Sequence, residues 1–232
     1  MPGYQNKVGG IVTQFSDSFA RGTLNPSGLL PWEQTIMAKL PISTPFNVGG
    51  YTCNGTNLVA SSFGQDAPTY TMPAVLRCSA LTYRLVSGQT QHCKCTFIAQ
   101  NAVANSSGPS VLTDVQGVPS SNGGCYGILV IGAGACRLVK MTGGSSTWVE
   151  NDLVAPIPGI TLVNGSIMRI SAQVNPGSVF LTVTINGVVA TTFTDNTPLL
   201  TGVPGFFESS ISQSAGVPGQ VTFGSLQCGL GL

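Results

Sequence analysis

Apolar and polar positions alternate most regularly between Ile167 and Asp195. Met168, Ile170, Ala172 and Val174 recur at period two against Arg169, Ser171 and Gln173, until Asn175-Pro176-Gly177-Ser178 breaks the run with turn formers. Val179, Leu181, Val183 and Ile185 then alternate with Phe180, Thr182 and Thr184. Asn186-Gly187 follows, the pair best able to hold positive φ at both centres of a type I′ hairpin, and Val188 to Thr194 returns rich in β-branched residues. The pattern predicts a three-stranded meander with one apolar and one hydroxylated face, as in one sheet of a sandwich.

The same reading extends along the chain. Residues 1–14 are Gly-rich and weakly periodic, and are expected to form an amino-terminal arm, with Ile11 and Val12 as a possible strand start. Glu33 to Leu40 reads as an irregular or strand segment. Gly49 to Phe63 predicts a hairpin turning at Asn54-Gly55. Val75 to Leu85 and Gln91 to Gln100 predict strands, and Cys125–Val130 with Cys136–Met141 predicts a hairpin about Gly132-Ala133-Gly134. Asn101 to Gly124 is the longest stretch without regular patterning, and is expected to be a contact-making loop. Val154 to Ile160, with two prolines, predicts a connection or edge, and Gln220 to Leu226 a last strand. Short strands at this spacing, with no amphipathic helix and no repeat, give one all-β domain over residues 15–232.

Composition sharpens the picture. Hydrophobic residues make up 42% of the 232, enough for a large core, but charged residues only 7%, against roughly 25% in ordinary soluble domains. A surface solvated by hydroxyls and amides suits a protein buried in an assembly, and equally an extracellular adhesin. Net charge is +1 and the nine Lys and Arg are scattered singly, so no nucleic-acid footprint is expected. The amino terminus lacks the cationic start and apolar core of a secretory signal. The longest apolar run, Ile128 to Ala135, is far short of the ~20 residues a bilayer span requires. Synthesis in a cytoplasm without membrane insertion is therefore expected. The seven cysteines, Cys53, Cys78, Cys93, Cys95, Cys125, Cys136 and Cys228, are an odd number and read as small buried apolar side chains.

Phe15-Ser16-Asp17-Ser18-Phe19-Ala20-Arg21, a Gly-containing loop and Trp32 resemble the opening of concanavalin A-like, laminin-G-like jelly rolls. Met168-Arg169-Ile170, Asn186-Gly187, Thr194-Asp195 and Gly202-Val203-Pro204-Gly205 are similar to their closing motifs, and Gly124-Cys125-Tyr126-Gly127 with Arg137-Leu138-Val139-Lys140 to their middle. The resemblance spans residues 15 to 226 and implies a two-sheet antiparallel β-sandwich. A chain so short of charge also resembles virion proteins of tailed bacteriophages, which implies a capsid decoration protein or a tail or fibre module. Fold and role are separate inferences, because this sandwich hosts lectins, glycosidases and structural modules alike.

Catalytic members of the group carry Glu-x-Asp-x-x-Glu on one strand. Here only Glu150-Asn151-Asp152 approaches it, with Ala155 where the third acid would stand. His92 is the single histidine, and strand alternation turns it away from Cys93 and Cys95, so neither a triad nor a zinc site is expected there. The resemblance suggests calcium at a sandwich rim, for which Asp17, Asp114 and Asp195 are the candidates. Trp148, Tyr70, Tyr126 and Asn122 are the candidates for a sugar platform, although a core or rim position suits each better.

No catalytic, cofactor-binding or metal-binding residue is assigned, and no cofactor is expected. The leading expectation is a non-enzymatic bacteriophage virion structural protein: a capsid decoration or cement protein, dimeric or trimeric, in contact with the major capsid protein or other virion proteins. The alternative is a tail- or capsid-associated adhesin that recognises host-surface glycan.

Overall fold

The computed structural model of the chain describes residues 4–8, 11–20, 32–36, 47–63, 71–72, 74–78, 85, 87–100, 107–115, 123–143, 148–208 and 220–231. The strands of the first half are β1 (Tyr4–Val8), β2 (Ile11–Asp17), β3 (Trp32–Ile36), β4 (Asn47–Cys53), β5 (Leu58–Phe63), β6 (Thr71–Met72), β7 (Ala74–Cys78), β8 (Thr90–Gln100) and β9 (Ser107–Val115). Those of the second are β10 (Gly123–Ile131), β11 (Ala135–Gly143), β12 (Trp148–Val154), β13 (Ile167–Asn175), β14 (Ser178–Ile185), β15 (Val188–Asp195), β16 (Val203–Glu208) and β17 (Gln220–Gly231). No helix among the described residues is long and apolar enough to cross a membrane.

The strands form two sheets. The larger has ten strands in the order β15-β14-β13-β8-β17-β5-β4-β6, with β2 pairing β17 and β1 pairing β2. The smaller has seven, in the order β12-β11-β10-β9-β16-β7-β3. Among the described residues every pairing is antiparallel except the short β4–β6 contact at one edge. The architecture is a two-sheet β-sandwich. Its longest strand, β17, pairs β8 along one side, while β5 takes its first half and β2 its second half on the other.

The meander forms as its alternation predicts. Met168, Ile170, Ala172, Val174, Val179, Leu181, Val183 and Ile185 are buried, while Phe180 is exposed on the opposite face. Asn186 and Gly187 both hold positive φ, 53° and 83°, and the Asn186 side-chain oxygen accepts from Ile167 N at 2.8 Å. The stretch expected as an arm, residues 1–14, contains β1 and the first residues of β2, and its Gln14 already pairs with Gly229 of the large sheet.

One expectation fails clearly. Residues 107–115, within the supposed long loop, form β9 at the centre of the seven-stranded sheet. Ser107 to Thr113 are buried, and the hydroxyls that made the stretch look polar are satisfied internally: Ser110 with Thr113 at 2.9 Å, and Ser107 with the Tyr51 hydroxyl at 3.0 Å. A bulge hides the alternation further. Between Val111 and Asp114, β9 spends one residue more than β10, and Leu112 adopts φ 50°. Its N–H donates to Gln91 Oε1 at 2.7 Å, reaching across from the other sheet.

The core lies between the sheets. At its centre Phe206 of β16 meets Phe223 of β17 at 5.1 Å and Tyr51 of β4 at 5.9 Å between ring centroids, so one aromatic cluster ties the layers together. All seven cysteines are buried, as expected of small apolar side chains, and none is joined in a disulfide.

Candidate functional site

The three carboxylates considered for calcium are each engaged separately. Asp17 is buried and accepts from Phe19 N at 2.9 Å, supporting the left-handed residue there. Asp114 accepts from the Thr201 hydroxyl at 2.6 Å. Asp195 accepts from the Tyr126 hydroxyl at 2.6 Å, from Thr197 N at 2.8 Å and from Lys140 Nζ at 2.7 Å. The ammonium group of Lys140 therefore supplies the cation that Asp195 faces. Burial pushes the Asp195 carboxyl up, but donation from Lys140, Tyr126 and Thr197 outweighs it and brings the value down to about 2. No group of three or more His, Cys, Asp or Glu able to hold a metal occurs among the described residues.

Together these contacts clamp the segment that follows β15. Asp195 and Lys140 hold Thr197, the Tyr126 hydroxyl accepts from Leu199 N at 3.0 Å, and Asp114 holds Thr201. Gln91 Nε2 then donates to Gly202 O at 3.0 Å. Tyr126, once a candidate sugar platform, is fully buried as part of this clamp. Tyr70 and Asn122 lie outside the described residues, and so does the side chain of Trp148.

His92 behaves as the alternation implies. Cys93 and Cys95 point into the core, where burial holds both thiols far above the ordinary range. His92 faces outward from the large sheet, and partial burial followed by the nearby charges of Arg169 and Lys94 lowers it to about 4. It is neutral at pH 7 and has no thiol partner.

The outer face of the seven-stranded sheet carries the other notable chemistry. Cys125, Leu129, Val139, Met141 and Phe207 form a second apolar layer there, separate from the main core. At its margin, Arg137 of β11 donates to Asp152 Oδ1 at 2.8 Å and also pairs with Glu150. Glu150 and Asp152 share a face because they stand two residues apart on β12, about 6.8 Å along the strand. Glu150 and Arg137 are mostly buried, while Asp152 is 46% exposed. The sequence pointed to the two acids but not to Arg137, which register places beside them: Val139 lies opposite Asp152 and Met141 opposite Glu150. Lys140 was missed in the same way. Its signal was a charged residue at a position in phase with the apolar Cys136 and Leu138.

No family model matches the chain, and no curated protein matches it. Solved structures do. An endo-1,3-beta-glucanase from Streptomyces sioyaensis superposes with a TM-score of 0.61 at 12% identity, over 98% of this chain and 99% of that one. The fold is a concanavalin A-like jelly roll. A beta-glucanase of Bacillus licheniformis matches at TM-score 0.55 and 10% identity over 94% of this chain and 98% of that one. A beta-1,3-1,4-glucanase (lichenase) derived from a mouse hindgut metagenome matches at 0.52 and 12%, over 94% and 99%.

These likenesses overturn the expectation that the protein is not an enzyme. Each of these jelly rolls is named as a glucan-cleaving enzyme, so the scaffold is one on which such chemistry is performed. The acid motif is incomplete in this chain, which keeps Glu150 and Asp152 two residues apart on β12 and has Ala155 in the third position.

Proposed function

We propose that the protein is a carbohydrate-recognising jelly roll that holds a glycan at the β11–β12 margin of the seven-stranded sheet. The observation that carries this reading is the Arg137–Glu150–Asp152 cluster on one outward face. A guanidinium donates in fixed pairs and carboxylates accept in pairs, which matches the adjacent hydroxyls of a sugar ring. A jelly roll whose solved likenesses are glucanases supports the choice of β-linked glucans as the first ligands to try. Titration calorimetry with 1,3- and 1,3-1,4-linked glucan oligosaccharides tests it. Binding should weaken at least about tenfold in Arg137→Gln and Asp152→Asn. An array of neutral and acidic glycans that stays silent removes the proposal.

Hydrolysis is the second reading, favoured by two carboxylates on one face of β12. It requires Arg137 to release one of them to the glycosidic oxygen. Release of reducing ends from the same glucans, abolished by Glu150→Gln, supports it, and turnover undiminished in both acid variants refutes it.

For the setting, scarce charge and the apolar edge strand β15, with Val188 70% and Val189 58% exposed, favour a protein seated in an assembly. A bacteriophage virion displaying the chain toward host-surface glycan suits both features. Finding the chain in purified particles tests this.

A further inference from the structure

The outer face of the ten-stranded sheet concentrates positive charge that the sequence disperses. Lys94 of β8 and Arg169 of β13 are direct cross-strand partners, and two residues along each strand, on the same face, His92 lies opposite Ser171. Their neighbours on the same face are Gln227 of β17, opposite Lys94, and Thr184 of β14, opposite Arg169. Directly opposed side chains in an antiparallel pair stand ~5 Å apart at Cβ, where like charges are destabilising. Among the described residues no carboxylate shares this face: Asp17 is buried in the core, Asp195 is held by Lys140, and Glu33, Asp114, Glu150, Asp152 and Glu208 stand on strands of the seven-stranded sheet. His92 Nδ1 and Arg169 Nε are buried without a hydrogen-bond partner there. A fold that sets two cations opposite each other, rings them with hydroxyl and amide groups and offers no acid has the makings of an anion site.

We propose that Lys94, Arg169 and His92 form a binding site for an oxyanion, a sulfate-type group that is either free or carried on an acidic saccharide. The guanidinium supplies paired donors, the ammonium a point charge, and Ser171, Thr184 and Gln227 the surrounding polar groups. His92 makes the site pH-dependent. The groups facing it are Lys94 on its own strand, Arg169 and Ser171 on β13, and Gly229 on β17, and none is an acid. Neutral in the empty site, His92 gains a favourable partner when an anion binds. Its proton affinity then rises, and by linkage anion binding strengthens as pH falls.

Because His92 is the single histidine, its imidazole resonances give an unambiguous NMR titration of the whole protein. Inorganic sulfate should raise its midpoint by about one unit or more relative to chloride at equal ionic strength. A sulfated oligosaccharide that does the same places the group on a sugar, whereas a response to sulfate alone assigns the site to free anions. No response to either, or an equal response to the unsulfated oligosaccharide, overturns the proposal. Lys94→Gln and Arg169→Gln should each weaken sulfate binding at least about tenfold. Without sulfate both should melt no lower than the parent, since each relieves a like-charge contact, and retained sulfate affinity in both also overturns it. Arg137→Gln should leave the sulfate response unchanged, so failure here and failure of glycan binding at β11–β12 are separate results.

Discussion

Replacing Asp195 by Asn keeps the shape of the side chain and removes its charge. In the parent, the carboxylate accepts from Tyr126 at 2.6 Å, from Lys140 at 2.7 Å and twice from Thr197, at 2.8 and 3.0 Å. Lys140 is only 9% exposed, so the variant leaves a buried ammonium without its counter-charge. Breaking a buried pair from one side costs about 3–5 kcal/mol, which for a chain of this size lowers Tm by roughly 6–20 °C. Part of that difference depends on pH. The folded value of about 2 lies below the ordinary 3.8, so the carboxylate's contribution is complete above about 3.8 and is lost as pH falls through about 2. The shift corresponds to about 2 kcal/mol. Urea unfolding at a series of pH values should therefore show the gap between parent and Asp195→Asn narrowing by about that amount between pH ~4 and ~2. Adding Lys140→Met to the variant should recover stability, because the stranded cation is gone. A gap below about 1 kcal/mol at pH 7, or one that does not change with pH, refutes the reasoning.

Two further outcomes follow from backbone and burial. A Cβ on Gly202, at φ 129°, would sit 2.4 Å from the Leu112 carbonyl carbon and 2.5 Å from Thr113 N, so Gly202→Ala should cost about 3 kcal/mol or more in urea unfolding. Gly187→Ala, at φ 83° with no atom within 4 Å, should cost only about 1 kcal/mol, and equal losses would contradict the packing account. All seven thiols are buried, and burial raises Cys136, for example, to about 11. An exchangeable disulfide reagent at neutral pH should therefore titrate none of them in the folded protein and all of them in denaturant, and prompt reaction of a native thiol would contradict this.

The strands that could be read in advance were those with one face in the core and one in water. In β13 and β14 the second face carries Arg169, Ser171, Thr182 and Thr184, so hydropathy alternates and the register reads itself. β9 was missed for the opposite reason. It is buried on both faces, its hydroxyls pair internally, and the bulge at Leu112 shifts the phase midway. The candidate sites were half legible. Glu150 and Asp152 are close in sequence and were noticed. Arg137, Lys140 and the Lys94–Arg169 pair acquire meaning only from which strand lies next to which, and that information is not local. The expectation of no enzyme rested on an incomplete acid motif, whereas the likeness to glucanases lies in the whole fold at 10–12% identity, which local spelling does not reveal.

β17 also sets a timetable. β8 is complete at residue 100, yet its partner on one side is not complete until residue 231, and the same late strand must pair β2 and β5. At ~5–20 residues per second, β8 leaves the ribosome roughly 6–26 s before that edge is covered. During that interval the rows of backbone donors and acceptors on β2, β5 and β8 are open to whatever strand arrives first. A second nascent copy presents an identical β17. The protein's yield should thus be governed less by the depth of its finished core than by how well that open edge is shielded while the last strand is still being made.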